Sequence, residues 1–226
     1  MALKDEIREQ NKKWKTMTRT EKKKYFLTYY KWHVIIFCVI LIAVVILVRD
    51  IIRNSRERLL YIMVLNNSEQ YMYQGLMDEF AEYAGIDLKE YNLTWDTDNI
   101  LIKDNADYAT IATIQKFDLY ATDGTIDAII LPESDLAYFE EEAYFIIDLQ
   151  EFMEEGVYAA VEDRLYFFDC EAVSGEIAIG FYLEPDDRFY EIGLFEQGER
   201  AVMIPLSNSS HLEYLYRFLK FMNVIS

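Results

Sequence analysis

Apolar residues occur along this chain in three patterns, and each predicts a different element. The longest is an unbroken block, Val34 to Val48, fifteen uncharged and almost wholly apolar residues between Lys31 and Arg49. Shorter runs follow, unbroken at Leu59–Leu65 (LLYIMVL) and interrupted only by Asp127 at Ile126–Leu131 (IDAIIL). Between them lie stretches in which apolar residues recur every third or fourth position. Block, run and period predict a membrane helix, buried strands and amphipathic helices respectively.

A spanning helix needs about 20 apolar residues, and the apolar core of a cleaved secretion signal about 7–15. Aromatic residues upstream (Tyr25, Phe26, Tyr29, Tyr30, Trp32) form a belt suited to the headgroup level, and Ile51 and Ile52 extend the apolar face downstream. Lys31 and Arg49 reach out of the apolar layer along their aliphatic stems. No small-residue cleavage site follows Val48, and Ile36 and Phe37 before Cys38 lack the small residues of a lipidation signal. The expectation is an uncleaved signal anchor over residues 32–52, after a basic tail (1–31) and before a short stalk (53–58).

Beyond the stalk, residues 59–226 predict one α/β domain. Leu59–Leu65 is apolar on both faces, as in a strand covered from both sides. Met72, Leu76, Phe80 and Tyr83 mark a helix that Ser68 caps and Gly85 ends. Tyr91, Leu93 and Trp95 alternate with polar residues as a half-buried strand. A helix follows on Ile111, Ile114, Phe117 and Ala121, then the strand Ile126–Leu131 and a short helix with Leu136 and Phe139. Tyr144–Leu149, Ile177–Leu183 and Ala201–Ile204 read as further strands. Ser210 and Glu213 form a capping box for a last helix on Leu212, Leu215, Leu219 and Met222. Strands alternating with helices predict a mostly parallel sheet with helices on both faces.

Charge then sets orientation and excludes a partner class. Residues 1–33 carry ten Lys/Arg against four Asp/Glu, whereas residues 59–226 carry eight against thirty-four, a net of −26 in a chain of −18. The basic flank predicts an N-terminus in the cytoplasm, an acidic domain outside it, and contact of the tail with anionic lipid. A polyanionic domain repels nucleic acid.

The passage TDGTIDAIILPESDLAYFEEEAYFIIDLQEFM, with the earlier helix EYMYQGLMDEFAEYAGID and the closing NSSHLEYLYRFLKFM, resembles type-two extracytoplasmic solute-binding proteins. It resembles more closely the single-pass, membrane-anchored members of that type in Gram-positive bacteria. The chain is shorter than the type-two solute-binding proteins and has a membrane helix in place of their lipidated cysteine. The resemblance implies an extracytoplasmic binding module, with a transporter permease or another membrane protein as partner and a small molecule or peptide as ligand.

Candidate chemistry is sparse. The domain has one cysteine, Cys170, so no disulfide forms within it, and the chain has two histidines, His33 and His211. There is no Gly-x-Ser-x-Gly elbow, no phosphate-cradling glycine loop and too few His/Cys ligands for a zinc site. Asp96-Thr97-Asp98-Asn99 opens like a calcium loop, but Ile100 and Leu101 stand where the motif needs a ligand and a glycine. No catalytic residue, metal or cofactor is expected. Open parallel sheets bind ligands beyond the carboxyl ends of the strands, where strand order reverses. That rule selects Asn66, Asn67 and Ser68 after the first strand, Asp96 after the second, and Pro132, Glu133 and Ser134 after the third. All are also ordinary turn and cap residues. Two functions therefore stand side by side: a binding module for a ligand or membrane partner, and a docking subunit whose cleft is vestigial.

Overall fold

The computed structural model describes residues 17–68, 71–102, 107–138, 148–153, 158–159, 161–170 and 175–225. The chain divides into two units, one ending at Ser55 and one starting at Arg56.

The first unit is helical. Helix α1 is Arg19–Tyr29, opened by a reciprocal cap in which the Thr18 hydroxyl and Glu21 carboxylate bond each other and each other's end of the turn. Helix α2 is Lys31–Asn54, and its stretch Lys31–Ile52 is long and apolar enough to cross a bilayer. At 1.5 Å per residue those 22 residues reach about 33 Å, against roughly 30 Å of hydrocarbon. Its apolar side chains from Val34 to Val48 are exposed within the protein, as lipid-facing residues are.

The second unit is built on one six-stranded sheet of order β2-β1-β3-β6-β5-β4. The strands are β1 (Glu57–Leu65), β2 (Tyr91–Asn99), β3 (Ala128–Pro132), β4 (Leu165–Cys170), β5 (Gly175–Leu183) and β6 (Ala201–Pro205). β1 runs parallel to both β2 and β3, with Met63 opposite Asp96 on one side and Ile129 on the other. From β3 outward every pairing is antiparallel. The expectation of a mostly parallel sheet is therefore corrected: the sheet is mixed. Buried runs at Ile177–Leu183 and Ala201–Ile204 look the same in sequence whichever way their neighbours run.

Alternate side chains of β1 build two cores. Leu60, Ile62 and Val64 face α3 (Leu76–Ala84), α6 (Arg188–Glu191) and α7 (Leu212–Phe221), and meet Phe80, Phe189 and Phe218. Tyr61, Met63 and Leu65 face α4 (Tyr108–Thr122) and meet Phe117 and Ala121. Helices thus cover both faces.

Four local expectations change. The helix ending at Gly85, where φ is +69°, begins at Leu76 with Gly75 in the cap position, so Ser68 is not its cap; the Ser68 N–H donates to Leu194 O at 2.8 Å. In α4 the inward positions are Thr110, Thr113, Phe117 and Ala121, while Ile111 and Ile114 are exposed. The two threonine hydroxyls accept the N–H groups of Ile102 and Ile100, at 3.0 and 3.1 Å, which a purely apolar pattern does not anticipate. Leu149 opens a short helix, α5 (Leu149–Phe152), capped by Asp148, instead of ending a strand; residues 144–147 and Phe139 lie outside the described residues. The last helix starts after His211 and has no side-chain cap at its first turn, so the Ser210–Glu213 box does not form.

Candidate functional site

The chain leaves β1 for β2 on one side and returns across β1 to β3 on the other, so strand order reverses at the carboxyl end of β1. A ligand site is expected there on geometric grounds. The structure puts Asn66 at that point with φ +48°, a left-handed conformation that asparagine tolerates better than most residues.

Asn66 is fully engaged. Its Oδ1 accepts from Leu101 N at 2.8 Å, and its Nδ2 donates to Leu101 O at 2.8 Å and to Asp135 Oδ2 at 2.6 Å. Its own N–H donates to Asn99 O at 3.0 Å. One amide thereby staples the ends of β1 and β2 to the 3-10 turn Glu133–Tyr138 after β3. Beside it, the Asn67 side chain donates to Ser68 O at 3.3 Å.

Asp96 does not follow β2 but lies inside it, because the strand runs on to Asn99. Its carboxylate accepts from the Tyr61 hydroxyl and pairs with Lys116 of α4, with only 12% of the side chain exposed. Lys116 also donates to Asn99 Oδ1 at 2.8 Å, while Asn99 Nδ2 donates to Val64 O and Asp96 O at 3.1 and 2.9 Å. Burial and the Asp96 carboxylate hold the Tyr61 phenol far above its ordinary range, so it stays a donor. Asp96 is thus a strand residue whose charge is paired with a lysine.

Pro132 is likewise the last residue of β3, buried and paired with Ala201. Its missing N–H costs nothing at a strand end. Glu133 follows it and is held from three directions. Its N–H donates to Arg200 O at 2.8 Å, Tyr182 OH donates to its Oε1 at 2.7 Å, and its Oε2 lies 3.3 Å from Arg200. The Arg200 guanidinium stacks 4.1 Å over the Tyr182 ring. Burial first, then the Glu133 bond, pushes the Tyr182 phenol up to about 12. Ser134 is exposed and reaches Asp135 Oδ1 at 3.3 Å.

Of the seven predicted positions, Asn66, Asp96 and Glu133 tie this end of β1, β2 and β3 to other segments, while Asn67 and Ser134 reach only their chain neighbours. The partners that sequence reasoning missed are Asn99, Lys116, Asp135, Tyr182 and Arg200. A signal for two of them existed: with eight Lys/Arg among thirty-four carboxylates in residues 59–226, each cation is scarce. Five of the eight (Lys116, Arg164, Arg188, Arg200 and Arg217) form ion pairs.

A second polar centre was also missed. Asp127, fully buried just before β3, accepts from Tyr61 N at 2.7 Å and Ser209 Oγ at 2.6 Å, and its Oδ1 lies 3.3 Å from His211 Nδ1. Burial still outweighs these partners and raises its carboxyl above the usual range. The serine hydroxyl is committed to the carboxylate instead of the imidazole, so the arrangement lacks the serine–base contact of a nucleophilic triad.

An open cleft of about 170 Å³ lies between Asp98, Asn99 and Ile100 at the end of β2 and Ala109, Ala112, Thr113 and Lys116 of α4. Sites for organic ligands typically occupy about 300–1,000 Å³. Among the described residues no three His, Cys, Asp or Glu side chains gather as they would around a metal ion. The chain matches no protein-family model, no curated protein and no solved structure.

Proposed function

We propose that this is a single-pass membrane protein whose acidic domain, residues 59–226, stands outside the cytoplasm and serves as a non-catalytic docking module of a membrane complex. The observation that carries the reading is the closure of the switch point. Asn66, Asp96 and Glu133 spend their polar groups on Leu101, Asp135, Tyr61, Lys116, Tyr182 and Arg200 instead of presenting them. Opening that end for a solute would unpair several partly buried groups, each at a cost of about 1–3 kcal/mol. The charge step from the basic flank of α2 to the domain supports the orientation.

The solute-binding reading keeps one supporting observation, the cleft beside Lys116. A thermal-shift screen of the full chain in detergent separates the two. Amino acids, peptides, sugars and polyamines are each expected to leave the melt unmoved. A binder present at 100 times its Kd stabilises by about 2.7 kcal/mol, a rise of several degrees, and one such rise replaces docking by ligand binding. Protease added to intact protoplasts tests the orientation, with the domain digested and a short N-terminal fragment protected.

A further inference from the structure

Helix α4 is dressed the wrong way round for a helix that ends at water. Threonines occupy two of its four buried positions, while Tyr108, Ile111, Ile114 and Leu119 stand 89%, 43%, 38% and 63% exposed. Beside it the strand-end residues Ile100 and Ile102 are 51% and 39% exposed, held against the helix by the threonine hydroxyls. Scattered apolar residues on a surface mean little, but a contiguous group on one helix and its neighbouring loop marks an interaction surface.

Charge identifies what covers it. Asp107 caps the start of the helix through Thr110 N, Asp118 lies on the outer face between Ile111 and Ile114 by helical spacing, and Asp123 follows the C-terminus. The one cation of α4, Lys116, is turned to Asp96 and Asn99. A second copy of this chain would bring a second set of carboxylates to the same contact, and an anionic lipid surface would be repelled in the same way. The cleft adjoins this face and is lined by Ile100, Ala109, Ala112, Asn99 and Thr113, by the exposed Asp98 carboxylate, and by Lys116, whose charge is taken up by Asp96.

We propose that the outer face of α4 docks an amphipathic helix of a partner protein whose apolar stripe is flanked by Lys or Arg. The apolar residues of α4 recur at helical spacing, and helix-on-helix packing fits ridges of that kind. The proposal rests on the docking reading above and adds where and by what chemistry the partner is held.

The test uses the full chain in nanodiscs of zwitterionic lipid, with empty nanodiscs as the blank. The probe is a synthetic 18-residue helix of leucine and lysine with leucines on one face, and its twin carries glutamate in place of lysine. The lysine peptide is expected to bind, and the glutamate peptide at least about tenfold more weakly. Ile111→Gln combined with Leu119→Gln, both exposed in the wild type, is expected to weaken the lysine peptide at least about tenfold with the melt unchanged. Asp118→Asn removes one carboxylate of this face and is expected to weaken binding with a smaller dependence on salt. Equal binding of both peptides, or binding indifferent to the Gln pair, overturns the proposal. So does sedimentation in which the wild type dimerises and the Gln pair does not, which would make the occupant a second copy. Failure here leaves the solute screen unaffected, so loss of this face and loss of the docking reading are separate results.

Discussion

The two halves of the sheet are assembled on different principles. In β2-β1-β3 the strands are parallel, the core lies on both faces, and the polar ends are tied by side chains from distant segments, such as Asn66 to Asp135. In β6-β5-β4 the strands are antiparallel, and the outermost one leaves Phe167 46% exposed. The halves meet at the β3–β6 pairing, from Ala128 opposite Pro205 to Pro132 opposite Ala201. A polar clasp closes each end of that seam: Asp127 with Ser209 at the start of β3, and Glu133 with Tyr182 and Arg200 at its end. Parallel strands aim their loops at one edge, where function ordinarily resides. Here the clasps occupy that edge, and the free apolar surface lies instead on the helix beside it.

The largest effect separates the halves directly. Ile129 is 1% exposed and paired on both sides, to Met63 and Ile204. Ile129→Asp buries an unpaired charge and is expected to cost about 4 kcal/mol or more, in practice the folded domain. The matched change Phe167→Asp on β4 should cost less than about 1 kcal/mol, because half of that ring is already in water. Denaturant melts of the full chain in detergent read both. Equal losses would mean that the edge strand is as deeply packed as the central one.

Gly180 tests the antiparallel half by its backbone. A Cβ there would stand 2.6 Å from Met203 O, with Ile204 and Val202 side-chain carbons at 3.1 and 3.2 Å. Gly180→Ala must push β5 away from β6, an overpacking cost of about 1–3 kcal/mol. A melt equal to wild type would show that the two strands have slack between them.

How legible each half is in the sequence follows the same division. β1 and β3 stand out because a short apolar run bounded by polar residues, too short for a helix and rich in β-branched residues, fits a strand buried on both faces. β4 does not, since LYFFDC follows the charged Glu162-Asp163-Arg164 and carries one acidic residue in six. Strand direction is not legible at all, because apolar runs do not encode it. In the candidate site, the strand-end positions read for Asn66 and Glu133 are the ones they hold, just after β1 and β3. Asp96 and Pro132 are displaced into strands because turn-forming residue types at the end of a run look the same when the strand continues through them. The groups that close the site, Lys116, Asp135, Tyr182 and Arg200, lie twenty to seventy residues or so from those they bind. No local pattern carries such pairs.

The seam clasp at Asp127 has a pH signature. Burial raises its carboxyl in the folded state, with Ser209, Tyr61 and His211 opposing. A raised folded value means that its contribution is fully present below the unfolded value of about 3.9 and is lost as pH rises through the folded value. The stability of wild type relative to Asp127→Asn should therefore fall as pH rises out of the acid range. His211→Gln removes one of the partners that oppose burial and should make that fall larger. A difference curve that rises with pH would mean that the hydrogen bonds outweigh burial.

The smallest effect belongs to the clasp at the other end of the seam. Glu133 and Arg200 are 33% and 64% exposed, so Glu133→Gln should change stability by less than about 1 kcal/mol. Its effect on Tyr182 is more telling. The phenol is held up to about 12 first by burial, which the substitution leaves in place, and then by the Glu133 carboxylate, which it removes. In Glu133→Gln the phenol should ionise at lower pH than in wild type yet still above the ordinary value of about 10. Ultraviolet titration, with the Tyr182→Phe variant subtracted to isolate this ring from the other tyrosines, reads the shift. An unchanged titration would show that the tyrosine is held by burial alone and that β3 and β5 are not joined through Glu133. The same variant bears on function, since a clasp that releases Arg200 opens the edge the docking reading takes to be closed. Solute binding gained by Glu133→Gln and absent from wild type would then identify the clasp as what shuts the site.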